Sequence, residues 1–230
     1  MNDRELDRAL HQSPPVDPAV LRRIAGGIVP DLEPVQPLSP RLLAAQLIVV
    51  AAVVAFAGAA LLGFFGVRRL TTAQSAAIFT TVAVFLCFTA VISTAAIIPG
   101  ARQRLRPATL IALACAVLVG IFARAFPDYS TASFVHEGIR CLTAGVLNAI
   151  PAALLAWLVL RRGFAVNPTA AGAAAGALAG LAGVLMLELH CPILKAPHAM
   201  VWHVAVIPVC AAVGGLLPRI APARSSRPPE

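Results

Sequence analysis

Charge is scarce in this chain. Only 12% of its 230 residues are charged, against 59% hydrophobic, and the mean hydropathy is +0.85. Soluble domains carry about 25% charged residues. A soluble fold has too little interior to hide this much apolar side chain, so the composition excludes an ordinary globular enzyme. Catalytic signatures are missing as well. There is no CxxC, no glycine-rich phosphate loop, no HExxH and no GxSxG. No charged residue falls at the middle of an apolar run, where ion-coupled transporters place their ionisable groups. A secretory signal is not visible either. The first apolar run begins near Leu42, too far in and too long for an h-region, so residues 1–41 are expected to stay attached.

What is present is a set of six long apolar runs: Leu42–Val67, Thr71–Ile98, Pro107–Ala123, Ile139–Leu160, Pro168–Leu189 and Ala199–Leu217. A span needs about 20 residues at 1.5 Å rise. Five runs meet that length, and the third does so if it extends past Arg124. The fold expected is all-α, a polytopic membrane protein built as a six-helix bundle over residues 41–219. A tail of residues 1–40 precedes it and a short tail of residues 220–230 follows. The first tail holds seven of the 19 prolines and six of the ten acidic residues. Two short helices are predicted in it. One runs from about Asp3 to His11, with Leu6 and Leu10 at i, i+4. The other opens at Asp17-Pro18 and carries Leu21, Ile24 and Ile28. Both are too short to stand alone in water, and Pro30 to Pro40 reads as an extended linker.

The net charge of +8 comes from arginines in short clusters between the apolar runs. That distribution orients a membrane protein and does not read nucleic acid. With the N-terminus inside, thirteen of the 18 basic residues fall on the inner segments and five (Arg68, Arg69, Arg124, Arg140 and Lys195) on the outer ones. Both termini are therefore expected in the cytoplasm, with lipid bilayer around the bundle.

Two cysteines then share the outer side. Cys141 opens the fourth run, and Cys191 closes the fifth within Glu188-Leu189-His190-Cys191-Pro192, shortly before His198, Trp202 and His203. Consecutive runs joined by a short turn pack as neighbours. Two thiols on adjacent helix ends can reach the ~5.5–6 Å Cα separation of a disulfide. They can also ligate a soft metal with His190, His198, His203, His136 or Glu188. A purely structural bridge is the bland alternative. The sharpest metal set is Cys141, Cys191, His190 and His198, for a transient ion rather than a resident cofactor. Cys87, Cys115 and Cys210 lie inside runs and read as packing. Gly172, Gly176 and Gly180, spaced by four, line one face of the fifth run and admit a close neighbour, within the bundle or as the seam of a homodimer.

These residues resemble the NrsF-type membrane anti-sigma factors, six-span bacterial proteins with a short cytoplasmic N-terminus. The likeness is carried by Pro34-Val35-Gln36-Pro37-Leu38 before the first run, Arg140-Cys141-Leu142, Pro151, Arg161-Arg162-Gly163, and Pro168 with Ala171-Gly172 and Gly176. It is most specific in Leu189-His190-Cys191-Pro192, Val201-Trp202-His203 and Gly214-Gly215-Leu216-Leu217. It covers roughly residues 30–220. The resemblance implies a non-enzymatic inhibitor that holds an extracytoplasmic-function sigma factor at the bacterial inner membrane. It also implies that Cys141 and Cys191 respond to oxidant or heavy metal. The family more often carries tyrosine at the position of His203, so the resemblance assigns that residue no role. In this reading the tail offers Leu6, Leu10, Leu21, Ile24 and Ile28 to the sigma factor and orders on binding. The alternative is a membrane thiol redox enzyme or metal-handling protein using the same cysteines.

Overall fold

The computed structural model describes residues 17–28, 39–98, 100–101, 105–161, 163 and 165–220. It divides into two units, Met1–Pro37 and Leu38–Glu230. In the first, helix α1 (Pro18–Ile28) opens where a capping residue and a proline adjoin. Asp17 Oδ1 accepts the Ala19 N–H at 2.8 Å, and Pro18 takes a position where no N–H is needed. Leu21 and Ile24 are exposed on α1. Leu6, Leu10, the helix expected from Asp3 to His11, most of the linker, the side chain of Ile28 and residues 221–230 lie outside the described residues.

The second unit is all-α, and no strand occurs among the described residues. Its six helices are α2 (Pro40–Leu62), α3 (Thr72–Ala95), α4 (Pro107–Ala125), α5 (Phe134–Leu160), α6 (Pro168–His190) and α7 (Ala196–Ile220), all long and apolar enough to cross a membrane. Helix starts follow local chemistry. Pro40, Pro107 and Pro168 each stand in the first helical turn. Ser39 and Asn167 cap α2 and α6 through their side chains. Thr71 and Gln74 close a reciprocal capping box on α3, each side chain bonded to the other residue's N–H.

The helices differ from the apolar runs at their ends. The first run continues to Val67, but α2 stops at Leu62 because Gly63 turns to φ 102°, a region that favours glycine. The segment after it folds back as a short 3₁₀ turn, Val67–Arg69. α4 extends past Arg124 to Ala125, a 19-residue helix of about 28 Å at 1.5 Å per residue. α5 begins at Phe134, well before Ile139, and so places Cys141 about two turns inside the helix.

α6 is the axis of the bundle. Of its most apolar stretch 72% is buried, against 22–39% for the other five helices. The sequence explains why. Its interior faces are Ala and Gly, which let neighbours approach to backbone distance. A Cβ on Gly172 would collide with the Gly214 carbonyl of α7, and one on Gly176 with the Cys210 carbonyl. On Gly180 it would stand 2.8 Å from Ile207 Cα. The i, i+4 glycine stripe is thus occupied by α7 within the same chain. On another face, a Cβ on Gly183 would lie 2.5 Å from the Gly145 carbonyl of α5. We expect Gly176→Val to destabilise the bundle by about 1–3 kcal/mol, the usual cost of overpacking. Thermal denaturation of the detergent-solubilised protein would read it as a lower midpoint. Gly120→Val, where nothing lies within 4 Å, should leave the midpoint nearly unchanged.

Candidate functional site: a buried thiol–imidazole cluster

Three helices deliver the site. α5 contributes Cys141. α6 ends at His190, and Cys191 follows as its C-cap, the N–H bonded to the Leu187 carbonyl at 2.7 Å. α7 contributes two histidines through an unusual start. One α-turn, Ala196–His198, leads into a π-turn, Ala199–His203, before regular helix resumes at Val204. In an α-helix, residues five apart point about 140° away from each other at 100° per residue. A π-turn widens the coil so that i and i+5 stack. His198 and His203 therefore share one face, ring centroids 5.1 Å apart and nearly perpendicular.

The resulting geometry is compact. Cys141 Sγ lies 3.5 Å from Cys191 Sγ, and Cys191 Sγ lies 3.7 Å from His198 Nε2. One ligand atom from each of Cys141, Cys191, His198 and His203 falls within 4.8 Å of all the others. Cys191 is 4% exposed, and His198 and His203 are 2% exposed. Glu188, one turn before Cys191, is also buried and meets His203 Nδ1 at 2.6 Å. The contact engages the His203 ring through Nδ1. Phe122 of α4 closes the apolar side, its ring edge-on to His203 at 6.4 Å between centroids. The hydrogen bond to Cys141, followed by burial, raises the Cys191 thiol above its ordinary pKa.

His190 is directed elsewhere. Its Nδ1 stands 2.9 Å from the Gly63 carbonyl, and its ring meets Phe65 edge-on. It serves the junction with α2 and lies outside the cluster. His136 is exposed. Cys87 is exposed on α3, and Cys115 and Cys210 are partly buried in α4 and α7, all three apart from the cluster.

Two glycines that drew no attention in the sequence hold the site in place. The Gly66 N–H bonds the carbonyls of Leu189 and His190 at 3.1 and 3.0 Å, and a Cβ there would strike the Cys191 and Glu188 carbonyls. Gly138, a turn before Cys141, accommodates the Trp202 indole directly on the helix backbone. The loops above are tied together. Asp128 and Lys195 form a β-bridge, the Ala196 N–H reaches the Asp128 carbonyl at 2.8 Å, and Lys195 Nζ donates to Ala132 O at 3.2 Å. The backbone N–H and hydroxyl of Ser130 hold Asp128 below the usual carboxylate range.

The fold and site together define a six-helix, membrane-spanning type of protein carrying a thiol pair where three helices meet. The NrsF family, described as negative regulator of sigma F, matches residues 28–221, and the chain belongs to it. It is thus a member of a family of sigma-factor negative regulators. Neither a curated protein nor a solved structure matches the chain.

The short sulfur separation generates a direct expectation. Mild thiol oxidant should join Cys141 to Cys191 within one chain, leaving Cys87, Cys115 and Cys210 open to maleimide after denaturation. Gly66→Val, which pushes the Cys191 backbone away, should slow that closure by an order of magnitude or more. Mass spectrometry of peptides from unreduced protein reads both outcomes. Equal rates in the two proteins would show that Gly66 does not position the thiol.

Proposed function

We propose that this chain is an anti-sigma factor of the bacterial inner membrane. Its residues 1–40 hold an extracytoplasmic-function sigma factor on the cytoplasmic side. Oxidation or soft-metal ligation of Cys141 and Cys191 on the periplasmic side releases it. Four considerations support this reading: family membership, the six spans, the arginine bias and the juxtaposed thiols. The observation that carries the sensing step is the 3.5 Å separation of Cys141 Sγ and Cys191 Sγ across the α5–α6 contact.

The mechanism is a biased two-state bundle. Disulfide formation removes two protons and two electrons, the electrons passing to the oxidant. It draws the sulfurs from 3.5 Å toward the ~2.05 Å of a bond. Because α6 touches α5 and α7 at backbone distance, its end cannot shift without repacking both. On the cytoplasmic side, Leu21 and Ile24 of α1 offer an exposed apolar stripe. An amphipathic segment of this kind is suited to a groove on a partner.

Three outcomes are expected. Deleting residues 1–37 should move the sigma factor from the membrane fraction to the soluble fraction. Leu21→Ser with Ile24→Ser should weaken retention at least tenfold. The double variant Cys141→Ser, Cys191→Ser should insert and retain sigma normally, yet leave the sigma-dependent reporter silent under oxidant or cadmium. A normal reporter response in that double variant refutes the sensing step. Sigma that stays soluble with the intact chain refutes the anti-sigma reading.

A further inference from the structure

The disulfide chemistry uses the sulfurs and leaves the imidazoles without work. His198 and His203 are buried; His203 Nε2 has no partner among the described residues, and His198 Nε2 stands 3.7 Å from Cys191 Sγ. A buried polar atom without a partner is destabilising and calls for an occupant. For His203 the vacant valence is specific. Glu188 takes up Nδ1, so Nε2 is the nitrogen available to a ligand. A carboxylate fixing one imidazole nitrogen while the other binds a metal is the common outer-shell arrangement of zinc histidines.

The spacing fits the same chemistry. With Zn–S at about 2.3 Å and Zn–N at about 2.0–2.1 Å, a tetrahedral site sets two sulfurs about 3.8 Å apart and sulfur from nitrogen about 3.5 Å. The observed separations are 3.5 Å between Cys141 Sγ and Cys191 Sγ and 3.7 Å between Cys191 Sγ and His198 Nε2. The widest separation among the four ligand atoms, at most 4.8 Å, closes by small side-chain rotations. Charge agrees as well. Two thiolates neutralise a divalent ion, which lowers the penalty of placing that ion in an apolar interior.

We propose that Cys141, Cys191, His198 and His203 form a tetrahedral site for a zinc-class divalent d10 cation, with Glu188 as the positioning residue that holds the His203 ring. The site draws its ligands from α5, the end of α6 and the π-turn of α7, so a bound ion staples the three together. A protein using only the two thiols would need neither the π-turn nor the Glu188–His203 contact. Cadmium, a thiophilic ion of the same charge and with the same filled d10 shell, competes for the same ligands. The regulatory meaning of the site rests on the anti-sigma reading above, whereas its capacity to bind metal rests on the geometry alone.

The test uses the full-length protein, purified in detergent, reduced and kept anaerobic, with Co²⁺ as the spectroscopic probe and Zn²⁺ as competitor. Expected for the native chain is a single Co²⁺ per chain with intense tetrahedral ligand-field bands and sulfur charge transfer, both abolished by Zn²⁺. His203→Ala should weaken binding at least tenfold and shift the ligand-field bands. Glu188→Gln should keep the bands while weakening affinity about 10–100-fold. That pattern is expected of a group acting on the ligand and not of a merely misfolded bundle. His190→Ala, outside the cluster, should change neither. A native chain that gives only weak octahedral bands overturns the proposal. So does a His198→Ala, His203→Ala double variant whose affinity and spectrum match the native ones. Sigma retention is measured in parallel on membranes from the cells that supply the same proteins. Retention without tetrahedral binding sinks this inference and spares the anti-sigma reading. Tetrahedral binding without retention supports the site and sinks that reading.

Discussion

α6 can occupy the middle of the bundle because it has almost no side chain where its neighbours touch it. Gly172, Gly176 and Gly180 meet the backbone of α7, and Gly183 meets the Gly145 carbonyl of α5. Lipid supplies no hydrophobic force to drive helices together, so close packing of this kind is a main source of cohesion in a membrane. The same closeness leaves little slack. A helix packed backbone to backbone on two sides cannot move its end alone. The residues at that end, Glu188 and Cys191, are therefore tied mechanically to α5 and α7.

The chemistry sits at the end of this closely packed helix. Cys141 of α5, Cys191 after α6, and His198 and His203 of α7 converge in one buried cluster. Each helix alone presents an unremarkable thiol or imidazole. Together they form a set of soft donors shielded by Phe122, with the Trp202 indole packed on α5 alongside. A buried polar cluster in an apolar bundle is costly when its groups lack partners. Any bond formed among these groups would bear on three helices at once.

Much of this was legible in the chain beforehand. The six spans followed from hydropathy and length, and the starts at Pro107 and Pro168 from the edges of the apolar runs, whereas Pro40, read as the end of a linker, opens α2 behind its Ser39 cap. The family likeness pointed to the two cysteines. The glycine stripe was visible as a stripe, though its occupant was not, because i, i+4 spacing says that something packs closely without saying what. Cys141 looked like the first residue of a span. It lies two turns in, because the polar stretch around His136 and Glu137 stays helical ahead of the apolar run. His190 looked like a natural ligand beside Cys191. Adjacent residues at a helix end point in different directions, and His190 turns to Gly63 O instead.

The order of apolar and basic segments was enough to determine an all-helical, six-span architecture, since hydropathy over 20 residues is a local sum that needs no partner. Which side chains meet was decided only in three dimensions. The π-turn at Ala199–His203, the acceptance of His203 by Glu188 and the backing of Cys191 by Gly66 depend on contacts between residues far apart in sequence. Helical spacing alone would place His198 and His203 on different faces. One wider turn, stabilised by its neighbours, brings them together.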